Sequence, residues 1–295
     1  MRVAAVDVGT NTVRLLVADV EADTVHVVDR GREITRLGQG IDAARRFAPE
    51  AADRTIDAIE RFVQRARDAG SERIRIAGTS AVRDAGDRDG FLRLVRARTE
   101  LEMEVLSGAD EGRLSYLGAT CELDDGTYLV CDIGGGSTEL STASRSVSLD
   151  VGSVRLTERF LRTVPPTDAE LAAARDFVVE QLTGAELEVA ADARLIGVAG
   201  TITTVAAVVL GLRTYNSDRV HRAVLRRADV VRATERLASM TPEQIVGLGP
   251  VEPGRADVIS GGATVLCVVM DELAFDEVLV SESDIMDGLV LDLVR

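Results

Sequence analysis

The stretch LVCDIGGGSTEL, residues 129–140, decides the fold class. A short apolar run of strand length meets Asp132, then three glycines, two hydroxyl residues and Glu139. Because glycine lacks a Cβ atom, a turn of this composition lets a ligand approach the backbone closely. Successive N–H groups in such a turn form a concave site for anions. The stretch therefore predicts a strand, a tight anion-binding turn and a second strand.

The same arrangement occurs near the N-terminus. Asp7 ends an apolar run, and a turn containing Gly9 leads directly into a second run over residues 13–20. Each half then continues with a third strand, which we place over residues 144–156 in the second half. Helix, strand, helix, strand and helix follow in both halves, judged from the spacing of apolar residues.

This internal repeat predicts an α/β protein with two similar domains and a cleft between their matching turns. We place the domains at residues 1–122 and 123–295, with a hinge near residues 121–127. A single run of three glycines is most often an ordinary tight turn. Two turns at equivalent positions make that interpretation much weaker.

The glycine turns predict a phosphate-bearing ligand. Hydroxyl and amide side chains flank both turns, and a third glycine turn over residues 197–201 precedes a helix whose N-terminal N–H groups attract anions. The predicted phosphate-binding residues of the three turns are Gly9, Thr10, Asn11, Thr12, Gly134, Gly135, Gly136, Ser137, Gly200 and Thr201.

The aspartates of the two turns predict a metal ion. Asp7 and Asp132 would repel phosphate unless a cation lay between them, and Mg²⁺ prefers one or two carboxylates together with phosphate oxygens. Glu139 fits a further metal ligand and a surface strand residue about equally well. Arg14 and Arg83 are the candidate counter-charges, because a guanidinium group grips phosphate with two parallel hydrogen bonds.

Composition excludes several classes of protein. The chain has 295 residues and a formal charge of -15, which argues against a nucleic-acid-binding surface. It contains no lysine, and this excludes a P-loop, a protein-kinase lysine and Schiff-base chemistry. No apolar run reaches the length of a membrane span. Three unpatterned cysteines fit a reducing compartment, so we expect a cytoplasmic protein.

The motifs together resemble the exopolyphosphatase / guanosine pentaphosphate phosphohydrolase family over nearly the whole chain. The matching segments are AVDVGTNTVRLLVA (5–18), GTSAVRDA (78–85), SGADEGRLSYLG (107–118), DIGGGSTEL (132–140), GVAGT (197–201) and RADVISGGATVL (255–266). This resemblance implies two ribonuclease-H-like domains of the actin, Hsp70 and sugar-kinase superfold, and a homodimer.

The resemblance also implies roles for individual residues. Glu111 matches the family's general base, although its position alone would equally fit an acidic residue at a helix N-terminus. Asp132 and Glu139 match positions that handle Mg²⁺ or phosphate, and Arg14 and Arg83 match phosphate-contacting arginines.

Two departures from the family pattern bear on specificity. Met286 stands where the family has an arginine directed at the cleft, which removes one phosphate-binding charge. The sequence also lacks the helical C-terminal extension of longer family members, so we expect short polyphosphate chains to be the better substrates.

These observations favour an exopolyphosphatase that releases terminal orthophosphate from inorganic polyphosphate with the help of Mg²⁺. Guanosine pentaphosphate as substrate comes second, because aromatic residues that could stack on a base are scarce. A phosphotransferase of the sugar-kinase type and a non-catalytic sensor of polyphosphate or alarmone are the remaining alternatives.

Overall fold

The computed structural model describes residues 1–22 and 24–295 of the chain. These residues form two compact units: unit 1 is Met1–Asp124 with Ser283–Arg295, and unit 2 is Asp125–Glu282. The strands are β1 (Arg2–Val8), β2 (Thr12–Glu21), β3 (Thr24–Ile34), β4 (Arg73–Gly78), β5 (Met103–Val105), β6 (Tyr128–Ile133), β7 (Thr138–Ser141), β8 (Ser146–Leu149), β9 (Arg194–Val198), β10 (Val224–Arg226) and β11 (Glu277–Val280).

The helices alternate with these strands after the first three strands of each unit. They are α1 (Ile41–Ala44), α2 (Pro49–Asp68), α3 (Ser80–Asp84), α4 (Arg88–Thr99), α5 (Gly108–Thr120), α6 (Ser153–Phe160), α7 (Asp168–Gly184), α8 (Ala199–Val209), α9 (Ser217–Val220), α10 (Arg227–Ala238), α11 (Pro242–Val246), α12 (Ile259–Glu272) and α13 (Ile285–Asp292). None of the helices in the described residues is both long enough and apolar enough to span a membrane.

The sheet of unit 1 has the strand order β3-β2-β1-β4-β5. Strands β1, β2 and β3 pair antiparallel, whereas β4 and β5 run parallel to β1. The central strand β1 buries both of its faces: Ala4 and Val6 pack with Phe62 of α2, while Val3 and Ala5 pack with Leu114 of α5. Burial on both faces explains why β1 reads as a continuous apolar run.

The sheet of unit 2 has the order β10-β11-β9-β6-β7-β8. Read from β8, it repeats the pattern of unit 1, because β6 and β7 pair antiparallel while β9 and β11 run parallel to β6. The short strand β10 is an addition at the far edge. The predicted repeat is therefore present, with one extra strand in the second copy.

The predicted third strand of unit 2 is wrong at its C-terminal end. It was placed over residues 144–156, but β8 ends at Leu149 and helix α6 begins at Ser153. Gly152 separates the two elements, and a Cβ atom there would lie 2.6 Å from the carbonyl carbon of Gly135. The close approach of two backbones, which needs glycine, ends the strand and begins the helix.

The C-terminal segment also differs from the predicted division at residues 122 and 123. Helix α13 belongs to unit 1, where Ile285 and Leu289 are buried against Leu16 of β2 and Leu114 of α5. Gly288 permits this packing, since a Cβ atom there would lie 2.0 Å from the carbonyl oxygen of Leu114. The C-terminal end of the chain therefore returns to unit 1 because the apolar face of α13 is buried there.

Candidate active site

The first hairpin turn joins β1 and β2 in unit 1. It is closed by a hydrogen bond of 3.0 Å from Gly9 N–H to the Thr12 carbonyl oxygen. The carbonyl oxygen of Thr10 accepts from Gly38 N–H at 2.7 Å, and that of Asn11 accepts from two N–H groups at residues 35 and 36. Because the C=O and N–H groups of a trans peptide point in opposite directions, Asn11 N–H faces away from Gly38.

The second hairpin turn joins β6 and β7 in unit 2 and repeats this geometry. Gly134 N–H donates to the Ser137 carbonyl oxygen at 3.0 Å, and the carbonyl oxygens of Gly134 and Gly135 accept from the first N–H groups of α6. The N–H groups of Gly135 and Gly136 therefore point away from α6. Neither donates a hydrogen bond within residues 1–22 and 24–295, so both are available to an anion.

The residues beside the two turns occupy matching registers but carry different charges. Asp7 of β1 lies opposite Arg14 of β2, whereas Asp132 of β6 lies opposite Glu139 of β7. Unit 1 thus pairs a carboxylate with a guanidinium group, and unit 2 places two buried carboxylates side by side. Glu139 Oε1 accepts from Ser148 Oγ at 2.6 Å, which fixes one of its oxygens.

Asp7 is buried with one of its two oxygens satisfied. Arg14 donates Nε and Nη2 to Asp7 Oδ2 at 3.0 and 2.8 Å, while Asp7 Oδ1 has no hydrogen-bond partner among the described residues. Burial raises the pKa of Asp7 above its ordinary value, and the charge of Arg14 opposes that rise. An orphaned carboxylate oxygen in a buried position is the kind of group a divalent cation would satisfy.

The paired carboxylates of unit 2 generate a negative field. Cys131, their neighbour on β6, has a thiol pKa raised chiefly by burial and further by the charges of Asp132 and Glu139. Two adjacent carboxylates in a buried position repel each other unless a cation or a proton lies between them.

The donor set of each unit was tested against a metal ion. No group of three or more His, Cys, Asp or Glu side chains that could hold a metal occurs in residues 1–22 and 24–295. The open oxygen of Asp7 and the pair Asp132 and Glu139 offer hard oxygen donors, which Mg²⁺ combines with phosphate oxygens and water. Each of these two donor sets therefore fits a magnesium ion that completes its coordination with water or phosphate oxygens.

The third predicted turn lies at the N-terminus of α8. Asp132 and Val198 are register partners on the parallel strands β6 and β9, so the turn after β9 lies at the same sheet edge as the glycine turn after β6. Thr201 is buried in the first turn of α8. Ala199 begins the helix with a φ of 67°, a left-handed conformation that costs energy for a residue with a side chain.

Arg255 is a candidate functional residue that the sequence reasoning missed. A Cβ atom on Gly200 would lie 2.1 Å from Arg255 Nη1 and 2.4 Å from its Cζ, so the guanidinium group lies directly against the glycine backbone. A cation at a helix N-terminus is unfavourable, because both are positive. Glu252, whose Oε2 lies 3.7 Å from Arg255 Nε, offsets part of this repulsion, and a bound anion would offset more of it. Arg255 is the first residue of the segment RADVISGGATVL, which the sequence analysis used only for the family resemblance.

Arg83 and Glu111 meet in unit 1. Arg83 at the end of α3 donates Nη1 to Glu111 Oε2 at 3.0 Å and to the carbonyl oxygen of Leu106 at 3.0 Å. Glu111 lies in the first turn of α5, which begins with a hydrogen bond from Asp110 N–H to Ser107 Oγ. An arginine that holds one oxygen of a buried carboxylate keeps that carboxylate charged and fixes its orientation.

Met286 contributes no charge to either turn. Its side chain is buried with Val3 and Leu16 in the apolar cluster of unit 1. The family arginine expected at this position is therefore replaced by a core residue.

An α/β scaffold with repeated anion-facing turns and an oriented carboxylate defines a class of enzymes that transfer or hydrolyse phosphoryl groups. The chain belongs to the Ppx/GppA phosphatase family, whose model matches residues 16–295. A relative from Mycobacterium tuberculosis, "Exopolyphosphatase 2", is 42% identical over 317 residues, which cover 99% of this chain and 98% of the relative.

Two solved structures are similar to the chain over almost their whole length. A crystal structure of an "exopolyphosphatase-like protein" has a TM-score of 0.94 at 34% identity and covers 99% of this chain and 98% of its own. The Aquifex aeolicus family member has a TM-score of 0.84 at 28% identity, covering 100% and 97%. These matches confirm the predicted family and hydrolase class, and the two sheets of repeated strand order confirm the predicted α/β fold.

Proposed function

We propose that the protein is an exopolyphosphatase, which releases terminal orthophosphate from inorganic polyphosphate. The observation that carries this proposal is the pair Arg83 and Glu111, a buried carboxylate held by an arginine at 3.0 Å. Hydrolysis of a phosphoanhydride needs little more than a positioned water and stabilisation of the charge on the transferred phosphoryl group. The relative named "Exopolyphosphatase 2" supports the choice of substrate.

Glu111 orients the attacking water and accepts its proton, while the hydrogen bond from Arg83 fixes the orientation of the carboxylate. The N–H groups of Gly135 and Gly136, together with the hydroxyl groups of Thr10 and Ser137, stabilise the phosphoryl oxygens as charge develops on them. Arg255 supplies counter-charge at the N-terminus of α8.

Asp7 in unit 1, and Asp132 with Glu139 in unit 2, are the residues that would hold magnesium. When bound, the ion neutralises phosphate oxygens and polarises the scissile bond. The net charge of -15 repels a polyanion at long range, so the local cations must overcome this field. We therefore expect phosphate release to depend strongly on Mg²⁺, and full turnover in excess chelator would contradict the proposal.

Substitution of Glu111 tests the assignment of the base. Glu111→Gln preserves the shape of the side chain and removes the acceptor charge, so we expect phosphate release to fall on the order of 10²–10⁴-fold. Glu102→Gln is the matched control, because Glu102 is exposed and pairs only with the exposed Arg96 among the contacts described. Retention of nearly full activity by a folded Glu111→Gln variant would show that another group acts as base.

A substrate panel separates the proposal from its alternatives. Phosphate release is measured from polyphosphates of graded length, guanosine pentaphosphate and ATP, each with and without Mg²⁺. Faster release from guanosine pentaphosphate would transfer the assignment to a pentaphosphate phosphohydrolase. Tight binding of polyphosphate without turnover would identify a sensor instead.

The cytoplasmic location and the homodimer are further proposals. The buried thiols of Cys131 and Cys267 agree with a reducing compartment, and the homodimer rests on the family resemblance. Sedimentation of the purified protein tests the dimer directly.

A further inference from the structure

Arg14 is surrounded by two carboxylates of unit 1. It donates Nε and Nη2 to Asp7 Oδ2, and it donates Nη1 to Asp284 Oδ2. Asp7 and Asp284 are buried, with side-chain exposures of 5% and 8%, and Arg14 is 24% exposed. One guanidinium charge between two carboxylates leaves the trio with a net charge of -1.

This arrangement conflicts with the predicted role of Arg14 in gripping phosphate. All three of its nitrogens already donate to a carboxylate oxygen. A phosphate gripped by two parallel hydrogen bonds would compete with Asp7 and Asp284 for the same nitrogens, and displacing either one would leave a buried carboxylate without its counter-charge. Arg14 is therefore placed to orient Asp7 rather than to bind substrate.

Asp284 holds its position through the fold of α13. It caps this helix, because Oδ1 accepts from Met286 N–H at 2.9 Å and its own N–H donates to Asp287 Oδ2 at 3.1 Å. Gly118 of α5 packs directly beneath it, since a Cβ atom on Gly118 would lie 1.8 Å from the Asp284 carbonyl oxygen. The carboxylate that meets Arg14 is thus fixed by a helix cap and by backbone packing.

We propose that Asp284 is a positioning residue that holds Arg14 on Asp7, so that Asp7 Oδ1 is presented to a divalent cation. Asp284 accounts for two otherwise unconnected observations: every nitrogen of Arg14 is bonded to a carboxylate, and a single buried oxygen of Asp7 has no partner among the described residues. It also gives the first turn a net negative charge, which attracts a cation and disfavours phosphate in the absence of one. The inference rests on the proposed metal-assisted hydrolysis, and its test does not require activity.

The test is the affinity of the substrate-free protein for Mn²⁺, measured by electron paramagnetic resonance or calorimetry. Asp284→Asn keeps a good helix cap but removes the charge, and an amide whose oxygen accepts from Met286 N–H turns its NH₂ group, a donor, toward Arg14. We expect Mn²⁺ binding roughly tenfold weaker, from the loss of one charge at partly buried distance. Because Arg14 is released, binding of orthophosphate without metal becomes stronger.

Asp292→Asn is the matched control. Asp292 lies on the same helix and pairs with Arg75 and Arg113 at 2.9 and 3.0 Å, so the variant makes the same change of charge elsewhere in unit 1. We expect it to leave Mn²⁺ and orthophosphate affinities unchanged. If Asp284→Asn does not fold, Asp284→Ser, which retains a capping hydroxyl, takes its place.

Unchanged affinities for Mn²⁺ and orthophosphate in the Asp284 variants overturn the inference, as does a wild-type protein that binds no Mn²⁺. A merely structural role would lower the melting temperature without any gain in orthophosphate binding. Failure of the proposed function looks different. Suppose that Asp284→Asn weakens Mn²⁺ binding as expected, but that the wild-type protein releases no phosphate from polyphosphate. That result would refute the hydrolase and leave the role of Asp284 standing.

Discussion

The hairpin turns at residues 7–14 and 132–139 have the same backbone and opposite electrostatics. Each begins with an aspartate at the end of a buried strand and closes with the same 3.0 Å hydrogen bond, and each directs its carbonyl oxygens at the segment packed behind it. The residue opposite the aspartate is Arg14 in one unit and Glu139 in the other. The two units therefore share the backbone geometry of the turn, while one side-chain position sets the local charge.

Removal of the counter-charge in unit 1 should have the largest effect on stability. Arg14→Gln leaves Asp7 and Asp284 buried without a cation. We expect the free energy of unfolding to fall by about 3 kcal/mol, the lower end of the usual range for breaking a buried ion pair, because Arg14 is partly exposed. Urea unfolding at neutral pH measures the loss. Arg61→Gln removes an exposed pair with Glu33 and should cost much less.

The excess negative charge of unit 1 should also appear as a pH dependence. Burial raises the pKa of Asp287 to about 6, with a further contribution from Asp284 and a partial offset from Arg30. The folded protein then binds more protons than the unfolded chain between about pH 4 and 6, so this group's contribution to stability falls as the pH rises through 6. Asp287→Asn should therefore be stabilising by roughly 2–3 kcal/mol at pH 7.5 and nearly neutral at pH 4. An equal effect of the variant at both pH values would contradict the assignment.

The glycines behind the two turns provide a third comparison. A Cβ atom on Gly152 would lie 2.6 Å from the backbone of Gly135, whereas a Cβ atom on Gly38 would first meet the terminal methyl group of Thr10. The side chain of Thr10 can rotate, but the backbone of Gly135 must shift. We expect Gly152→Ala to cost about 2 kcal/mol and Gly38→Ala about 1 kcal/mol, measured by thermal unfolding. A larger cost at Gly38 would show that the first turn is the more rigid one.

Neutralisation of a carboxylate in unit 2 should have the smallest effect and the opposite sign. Glu139→Gln removes one of two adjacent buried charges while keeping the bond from Ser148, so we expect a stabilisation of about 1 kcal/mol in metal-free buffer. The wild-type melting temperature should rise with Mg²⁺ more than that of the variant, because bound ligand stabilises only the form that binds it. Destabilisation by Glu139→Gln would indicate that the pair is already neutralised within unit 2.

Local features of the site could be predicted from the sequence because neighbouring residues encode them. The apolar runs, the aspartates that end them and the glycines that follow specify the two hairpins, and Arg14 and Glu139 fall opposite the aspartates through strand register alone. The predicted third strand over residues 144–156 failed at Gly152, where the close approach of Gly135, distant in the chain, overrides local strand propensity.

The contacts that set the charge of the site could not be predicted in this way. Arg14 and Asp284 are 270 residues apart, and Arg255 reaches Gly200 from the turn that precedes α12. The placement of Met286 in the core follows from the return of α13 to unit 1, which no adjacent residue signals.

The sequence by itself determined the repeat, the two anion-binding turns and the family. Strand periodicity, glycine turns and strand register each depend on a few neighbouring residues, so they can be predicted from the sequence. Only the tertiary structure decided which charges meet: Arg14 with Asp7 and Asp284, and Arg83 with Glu111. The physical reason is that these charged residues lie on elements far apart in the chain. Packing of the apolar faces of the helices, and not the charges themselves, brings these elements together and so selects the electrostatic partners.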